Sequence, residues 1–232
     1  MSWPYSARVI DPATAPHPKP SVKPPIIGIA GGIGSGKTAV ARALAALGCE
    51  VCNSDDAART VLALPEVSAA IIKRVAREGR GVALSDGSVD RSALAHAIFT
   101  DPVLRRDIES IMHPRIEALR RAQFAAASTT ARALVIDAPL LFEAGLDREC
   151  DAVLFVETPR ALRLDRLHVA RGWSDAELAR REDSQLPLDE KRRRSSDVVE
   201  NHADAASLER AVAVVLGRIL ARVEARSSRA TP

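Results

Sequence analysis

Residues 31–38 of the chain read Gly31-Gly32-Ile33-Gly34-Ser35-Gly36-Lys37-Thr38, and this segment matches the phosphate-binding pattern G-x-x-x-x-G-K-[ST]. The apolar run over residues 26–30 precedes it and is typical of a buried parallel strand. Val40, Leu44 and Leu47 follow at helical spacing. A strand, a glycine loop and a helix in this order direct backbone N–H groups and a helix N-terminus at one point, which suits an anion. We therefore predict a nucleotide-phosphate site, in preference to a glycine-rich turn that binds nothing.

Two side chains of this segment indicate what the ligand is. Lys37 would reach the β- and γ-phosphates of ATP, and the Thr38 hydroxyl would ligate Mg²⁺. ATP and Mg²⁺ are therefore the predicted cofactors. The residues expected to bind the nucleotide come from the loop and the start of the helix: Gly32, Ile33, Gly34, Ser35, Gly36, Lys37, Thr38 and Ala39.

The composition narrows the class of protein. Of the 232 residues, 47% are hydrophobic but only 3% are aromatic, so the core must consist mainly of Ala, Leu, Val and Ile. The net charge of +3 is weak support for a nucleic-acid partner, and no apolar run approaches the ~18 residues of a membrane span. The three cysteines argue for a reducing compartment, and Cys49-x-x-Cys52 lacks the second pair of a zinc site. We expect a cytoplasmic protein without nucleic-acid or membrane partners, as a monomer or a weak oligomer.

The rest of the chain alternates strands with helices, which is typical of an α/β fold with a parallel sheet. Short apolar runs predict further strands at residues 133–137 and 152–157, and segments with two apolar residues at their centre predict short strands at 50–53 and 197–201. Between the second and third strands, residues 60–126 predict a helical insertion that could cover a substrate. Residues 160–195 are helical and dense in arginine, and residues 204–224 predict a terminal amphipathic helix.

We predict one folded domain over residues 26–225. Residues 1–25 carry seven prolines and no apolar core like that of a signal peptide, so we expect a disordered extension. Residues 226–232 are expected to form a disordered tail.

Several further motifs occur along the chain in a characteristic order and spacing. They are Asp55 with Arg59, Asp86-Gly87 with Arg91, His113-Pro114, Pro139-Leu140-Leu141-Phe142-Glu143, Gln185 and Asp197-Val198-Val199-Glu200-Asn201. Together with the glycine loop, they resemble the motifs of bacterial dephospho-CoA kinases over about residues 26–220. The resemblance implies a fold like that of nucleoside monophosphate kinases, with a P-loop core, a helical CoA-binding insertion and a lid over about residues 160–195. It also implies transfer of the γ-phosphoryl group of ATP to the ribose 3′-hydroxyl of dephospho-CoA.

The resemblance assigns Asp55 as the catalytic carboxylate, which would align the acceptor hydroxyl and accept its proton. The same residue is placed to cap a helix that begins at residue 56. Arg59 lies on the same helical face, where it could hold substrate phosphates or pair with Asp55. The family often has Asp where this chain has Asn53, which cannot balance the charge of Mg²⁺.

Asp137 ends a predicted strand, where it could hold Mg²⁺ directly or through water, or accept hydrogen bonds from loop amides. Glu143 would orient the substrate or its own loop. His113, which with Pro114 interrupts a helical pattern, is expected to form hydrogen bonds in the substrate domain. The residues that the resemblance assigns to the acceptor are Asp55, Arg59, His113, Pro139, Leu140 and Glu143.

The resemblance assigns Arg166 and Arg171 to the lid, where planar guanidinium groups match the oxygens of the transferred phosphoryl group. The other arginines of that segment are expected mostly on a solvated face: Arg163, Arg180 and Arg181. The family usually has Arg where this chain has Lys191. Asn201 lies where the family contacts the adenine.

Two alternatives remain open. One is another small-molecule P-loop kinase, acting on a nucleoside or a nucleoside monophosphate. The other is a P-loop switch or an ATPase-type binding module, although the sequence lacks the Asn-Lys-x-Asp motif of a GTPase.

Overall fold

A computed structural model describes residues 23–230 of the chain, with side chains to residue 228. The predicted N-terminal extension therefore lies almost entirely outside the described residues, as do residues 231–232 of the predicted tail.

Within residues 23–230, five parallel strands form one sheet. Their bounds are Ile26–Gly31 (β1), Glu50–Asn53 (β2), Leu134–Asp137 (β3), Ala152–Glu157 (β4) and Asp197–Glu200 (β5). The order across the sheet is β2-β3-β1-β4-β5, so the strand before the glycine loop lies at the centre. This confirms the predicted fold class, and all five predicted strands are present. Because parallel strands end at one edge, the segments that follow β1, β2 and β3 meet there.

Helices cover both faces of the sheet and build the insertion. Their bounds are Lys37–Ala46 (α1), Ser54–Leu62 (α2), Pro65–Ala76 (α3), Arg91–Phe99 (α4), Pro102–Ala125 (α5), Arg160–Arg171 (α6), Asp175–Glu182 (α7), Leu188–Arg194 (α8) and Ala205–Ala230 (α9), with a short 3₁₀ helix at Leu146–Glu149. None of the helices between residues 23 and 230 is long and apolar enough to cross a membrane.

The molecule has separate apolar cores for the sheet and for the insertion. Helices α1 and α9 pack on one face of the sheet, around fully buried residues such as Ile29, Leu154 and Ile219. The insertion has its own core, in which Ile71 and Leu104 are fully buried. Because the insertion buries its own apolar faces, it can lie beside the strand ends as a separate packing unit, without a share in the core of the sheet.

Two predicted helix limits are wrong. His113 and Pro114 do not interrupt a helix, because α5 runs through them for 24 residues. Proline removes one backbone hydrogen bond, but both halves of α5 pack on the insertion core, and this packing outweighs the loss. At the C-terminus, α9 continues to Ala230, past the predicted end at 224 and into the predicted tail. Residues 224–230 contain neither Gly nor Pro, so nothing in them breaks the helix.

Candidate active site

The glycine loop joins β1 to α1 at the carboxyl edge of the sheet. Gly36 caps α1 with a φ of 89°, in the left-handed region that favours glycine. A Cβ at Gly36 would also collide with the side-chain amide of Asn201. The pattern therefore requires glycine here both for backbone conformation and for space.

Asn201, the residue after β5, forms a hydrogen bond with the backbone of the glycine loop. Its Nδ2 donates a hydrogen bond of 2.7 Å to the Ser35 carbonyl, and Thr158 Oγ1 donates to the same carbonyl at 3.0 Å. Asn201 is buried. The structure thus gives this residue a loop-positioning contact, and its predicted contact with adenine stays a prediction.

Lys37 lies against the loop that precedes it. Its Nζ donates hydrogen bonds to the carbonyls of Gly31, at 3.0 Å, and Gly32, at 2.9 Å. Burial and, to a smaller extent, the nearby charge of Lys191 lower the pKa of Lys37 to about 8, while Asp137 opposes the shift. Bound phosphates would favour the charged ammonium group and so raise this pKa.

Asn53, the last residue of β2, connects two acids. Its Oδ1 accepts hydrogen bonds from the backbone N–H groups of Asp55, at 2.9 Å, and Asp56, at 3.1 Å, and so caps α2. Its Nδ2 donates to Oδ2 of Asp137 at 2.9 Å. The alternative that Asp55 itself caps the helix is therefore wrong, because α2 begins at Ser54 and Asn53 occupies the cap.

Asp137 is buried at the end of β3. Burial raises the pKa of its carboxyl group, while Lys37 and the hydrogen bond from Asn53 act in the opposite direction. The group that donates to Asp137 is thus the side-chain amide of Asn53, and not a backbone amide of the loop.

A cavity of 530 Å³ lies between the glycine loop, the strand ends and the lid helices. The predicted residues that line it are Ile33, Gly34, Gly36, Lys37, Thr38, Asp55, Asp137, Pro139, Arg166 and Arg171. The predicted lid also contributes Gln185, which belongs to the motifs of the resemblance, and Arg181, which was expected mostly on a solvated face. No motif indicated the other two lining residues, Trp173 and Ser184. The loop, the acids and the lid arginines predicted from sequence therefore come together at one place.

Arg166 and Arg163 of α6 both bind the glycine loop. Arg166 Nη1 donates to the Ser35 carbonyl of the loop at 3.5 Å, and its Nη2 donates to the neighbouring Asn201 carbonyl at 3.1 Å. Arg163 is buried, donates from Nη1 to the Ile33 carbonyl at 3.1 Å and pairs with Glu182, so its predicted place on a solvated face is wrong. The sequence held one unused signal, the glycine at position 32, where a Cβ would lie 2.7 Å from Arg163 Nη1.

A second cavity, of 510 Å³, adjoins the first on the side of the insertion. Four of the predicted acceptor residues line it: Asp55, His113, Pro139 and Leu140. Its wall also contains the ion pair of Arg120 and Glu149, with Arg120 Nη2 to Glu149 Oε1 at 2.7 Å, which sequence analysis missed because the two residues lie in different elements.

Two of the predicted acceptor residues, Glu143 and Arg59, line neither cavity. Glu143 pairs with Lys191 at 2.8 Å and accepts a hydrogen bond from the Leu186 backbone at 2.9 Å, so it ties its own loop to the base of the lid. Arg59 pairs with Asp56 at 2.6 Å, and its side chain is 55% exposed. Of the two roles considered for Arg59, the pairing with Asp55 is not the one formed here, because Arg59 pairs with Asp56, and the contact with substrate phosphates stays a prediction.

A glycine loop at the centre of a parallel sheet, two carboxyl groups beside it and an arginine-bearing lid define a small-molecule kinase of the P-loop class. The chain belongs to the dephospho-CoA kinase family, whose model matches residues 25–207. This family phosphorylates dephospho-CoA in the last step of coenzyme A biosynthesis, with ATP as the donor. The assignment decides against the P-loop switch and the other small-molecule kinases considered above.

Individual relatives agree with the family model. A dephospho-CoA kinase of Syntrophotalea carbinolica is 39% identical over 197 residues, which cover 84% of this chain and 92% of the relative. One of Deinococcus radiodurans is 37% identical over 196 residues, with the same coverage. Among solved structures, TT1252 from Thermus thermophilus matches with a TM-score of 0.72 and 34% identity, over 85% of this chain and 98% of that one. The dephospho-CoA kinase of Campylobacter jejuni, at 21% identity and a TM-score of 0.58 over 85% of this chain and 98% of that one, shares the fold.

Proposed function

We propose that this chain binds ATP in the cavity over the glycine loop, binds dephospho-CoA in the adjoining cavity, and transfers the γ-phosphoryl group where the two meet. The observation that carries the proposal is that Asp55 and Pro139 line both cavities. An acceptor hydroxyl and a γ-phosphate can react only where their sites join, so a carboxylate at that junction is placed to act on the hydroxyl.

Asp55 would align the ribose 3′-hydroxyl and accept its proton. The geometry supports this role in two ways. The Asp55 side chain is exposed to both cavities, and Asn53 fixes its backbone N–H at 2.9 Å. The carboxylate is therefore accessible to an acceptor while the backbone that carries it is held in place.

Thr38 and Asp137 would hold Mg²⁺. Both line the nucleotide cavity and both offer oxygen donors, which Mg²⁺ prefers. Asn53 bonds Oδ2 of Asp137 and leaves Oδ1 for a cation or its water. When bound, Mg²⁺ would supply positive charge that neutralises the phosphate groups of the nucleotide. Lys37 would exchange its two loop carbonyls for phosphate oxygens.

Arg166 and Arg171 would contact the charge that spreads over the transferred phosphoryl group. His113 and Leu140 would contact the acceptor in the second cavity. Arg59 would contact only an acceptor phosphate that extends outside this cavity. We interpret Glu143 as a residue that positions the loop containing Leu140, since its carboxylate already binds Lys191.

The direct test is an acceptor panel with ATP and Mg²⁺, in which ADP and phosphorylated product are both measured. Dephospho-CoA, AMP, adenosine and buffer alone serve as acceptors. We expect ADP and coenzyme A in equal amounts with dephospho-CoA, and little ADP in the other reactions. Similar ADP release with AMP, or without an acceptor, would contradict the proposal. For the setting of the reaction, we retain the cytoplasm and a monomer or weak oligomer as predictions.

A further inference from the structure

Trp173 lies at the junction of α6 and α7, the first two helices of the predicted lid. Gly172 ends α6 in the left-handed conformation, with a φ of 67°, and the Ser174 side chain caps α7 by accepting from the Glu177 backbone at 3.3 Å. Trp173 is therefore the residue between these two caps. Its indole is half-buried and lines the nucleotide cavity.

Two arginines stack on this indole, one from each lid helix. The guanidinium carbon of Arg171, the last residue of α6, lies 4.9 Å from the ring centroid. That of Arg181, on α7, lies 4.2 Å away. Both distances are within the range of a cation–π contact, and both arginines line the same cavity as the ring.

The indole is not needed to hold the two helices together. Ion pairs already join α7 to α6: Arg160 pairs with Asp175 and, at 4.0 Å, with Glu182, and Arg163 also pairs with Glu182. Leu178 of α7 is fully buried. Substitution of Trp173 should therefore leave the lid folded and change mainly the direction in which the guanidinium groups of Arg171 and Arg181 point.

A further contact of Arg181 does not replace the indole. Glu177 accepts from Arg181 Nε at 2.6 Å, but both residues belong to α7, so this pair cannot align α7 with the end of α6. The ring contacts one arginine from each helix and can relate the two.

We propose that Trp173 is a positioning residue, which orients the guanidinium groups of Arg171 and Arg181 over the phosphate site. The proposal rests on the proposed function, in that it takes the lid arginines to contact the transferred phosphoryl group. A long arginine side chain loses much rotamer freedom when it binds, and a ring face that restricts it beforehand reduces that loss. Charge that is oriented in advance acts most strongly on the transition state, so the effect should fall on turnover.

The test compares Trp173→Leu, Trp173→Phe and the control Val169→Ala in the full chain. Leu keeps apolar volume and removes the π face, whereas Phe keeps a weaker one. Val169 is 88% exposed on α6. We expect Trp173→Leu to lower kcat by about fivefold to tenfold, with KM for ATP and Kd for ADP within about twofold of wild type. The kcat of Trp173→Phe should lie between those of Trp173→Leu and wild type, and the kcat of Val169→Ala should equal that of wild type. All four chains should show similar thermal unfolding.

A double-mutant cycle identifies the route of the effect. Lys in place of Arg181 keeps the charge and loses the planar group that stacks. If Trp173 acts through this arginine, Arg181→Lys should lower kcat clearly in wild type and little in the Trp173→Leu chain. Additive effects would overturn the proposal.

Two other results would also overturn it. The first is a weaker Kd for ADP in Trp173→Leu with unchanged kcat, which would make the indole a contact of the base. The second is an active wild type with an unimpaired Trp173→Leu chain. A wild type that does not phosphorylate dephospho-CoA would instead overturn the proposed function, so the two failures are distinguishable.

Discussion

The side-chain amide of Asn53 donates a hydrogen bond of 2.9 Å to Oδ2 of Asp137. At the same time, its Oδ1 accepts from the backbone of Asp55, also at 2.9 Å. One neutral side chain therefore fixes two acids that lie at the ends of neighbouring strands. A carboxylate in its place could cap α2 equally well but could not donate to Asp137.

Replacement of Asn53 by Ala should lower both the free energy of unfolding and kcat. The lost helix cap alone costs about 1 kcal/mol. The released acids should lower kcat by about tenfold, because small errors in alignment slow the transfer. Asp101→Ala is the matched control, since Asp101 caps α5 through the backbone N–H groups of Val103 and Leu104 and lines neither of the two cavities. Thermal unfolding should show similar losses for the two variants, and steady-state kinetics should show a loss only for Asn53→Ala. Equal kcat values in both would contradict this account.

Lys37 should couple nucleotide binding to proton uptake. Burial holds its pKa at about 8 in the free chain, so the side chain is largely neutral at about pH 9, and bound phosphates should raise the pKa and draw in a proton. Calorimetric titration of ADP at about pH 9, in two buffers of different ionisation enthalpy, measures this uptake. Lys37→Met should abolish both the uptake and turnover. An observed enthalpy that does not depend on the buffer in wild type would show that Lys37 is already charged.

Asp197 should contribute stability that depends on pH. It is buried at the start of β5, where burial would raise its pKa, but hydrogen bonds from Arg222 of α9 and from Ser196 outweigh this and hold the pKa below its usual value. A lowered pKa gives stability that is present above the unfolded value, about 3.8, and is lost as pH falls through the folded value.

The variant Asp197→Asn should therefore lose about 2 kcal/mol at neutral pH, the range for hydrogen bonds between charged groups. The difference from wild type should shrink below about pH 3.8, as measured by urea unfolding over a pH series. Glu209→Gln, at an exposed position of α9, should change little at any pH. A constant difference across the series would mean that the charge of Asp197 is not the source of its effect.

The sheet could be predicted because its signals are local. Each strand has apolar residues at its centre, and Asp90 and Asp101, which are residues of a type that caps helices, cap α4 and α5. The continuation of α5 through Pro114 could not be predicted, since it depends on packing between segments that are distant in sequence. The end of α9 was missed although its signal, the lack of Gly or Pro, is local.

The candidate site was predictable where a motif fixes geometry and not where partners come from elsewhere. The loop residues, Asp55 and Asp137 meet because parallel strands end at one edge. The burial of Arg163 depends on Glu182, which lies on another helix, and the pairing of Glu143 depends on Lys191. Such pairs have no signal in local periodicity.

The central claim is that Asp55 acts on the acceptor hydroxyl at the junction of the two cavities. The most direct test is to measure Asp55→Asn turnover at saturating ATP-Mg²⁺ and dephospho-CoA, together with the affinity for ATP-Mg²⁺ of the same preparation. We predict a turnover lower by about 10²–10⁴-fold, the usual contribution of general acid–base catalysis, with nearly unchanged nucleotide affinity. A large loss of ATP-Mg²⁺ affinity with turnover preserved at saturation would contradict the account. In that case Asp55 would be a metal-site residue, and Asp137 would be the first candidate for the catalytic base.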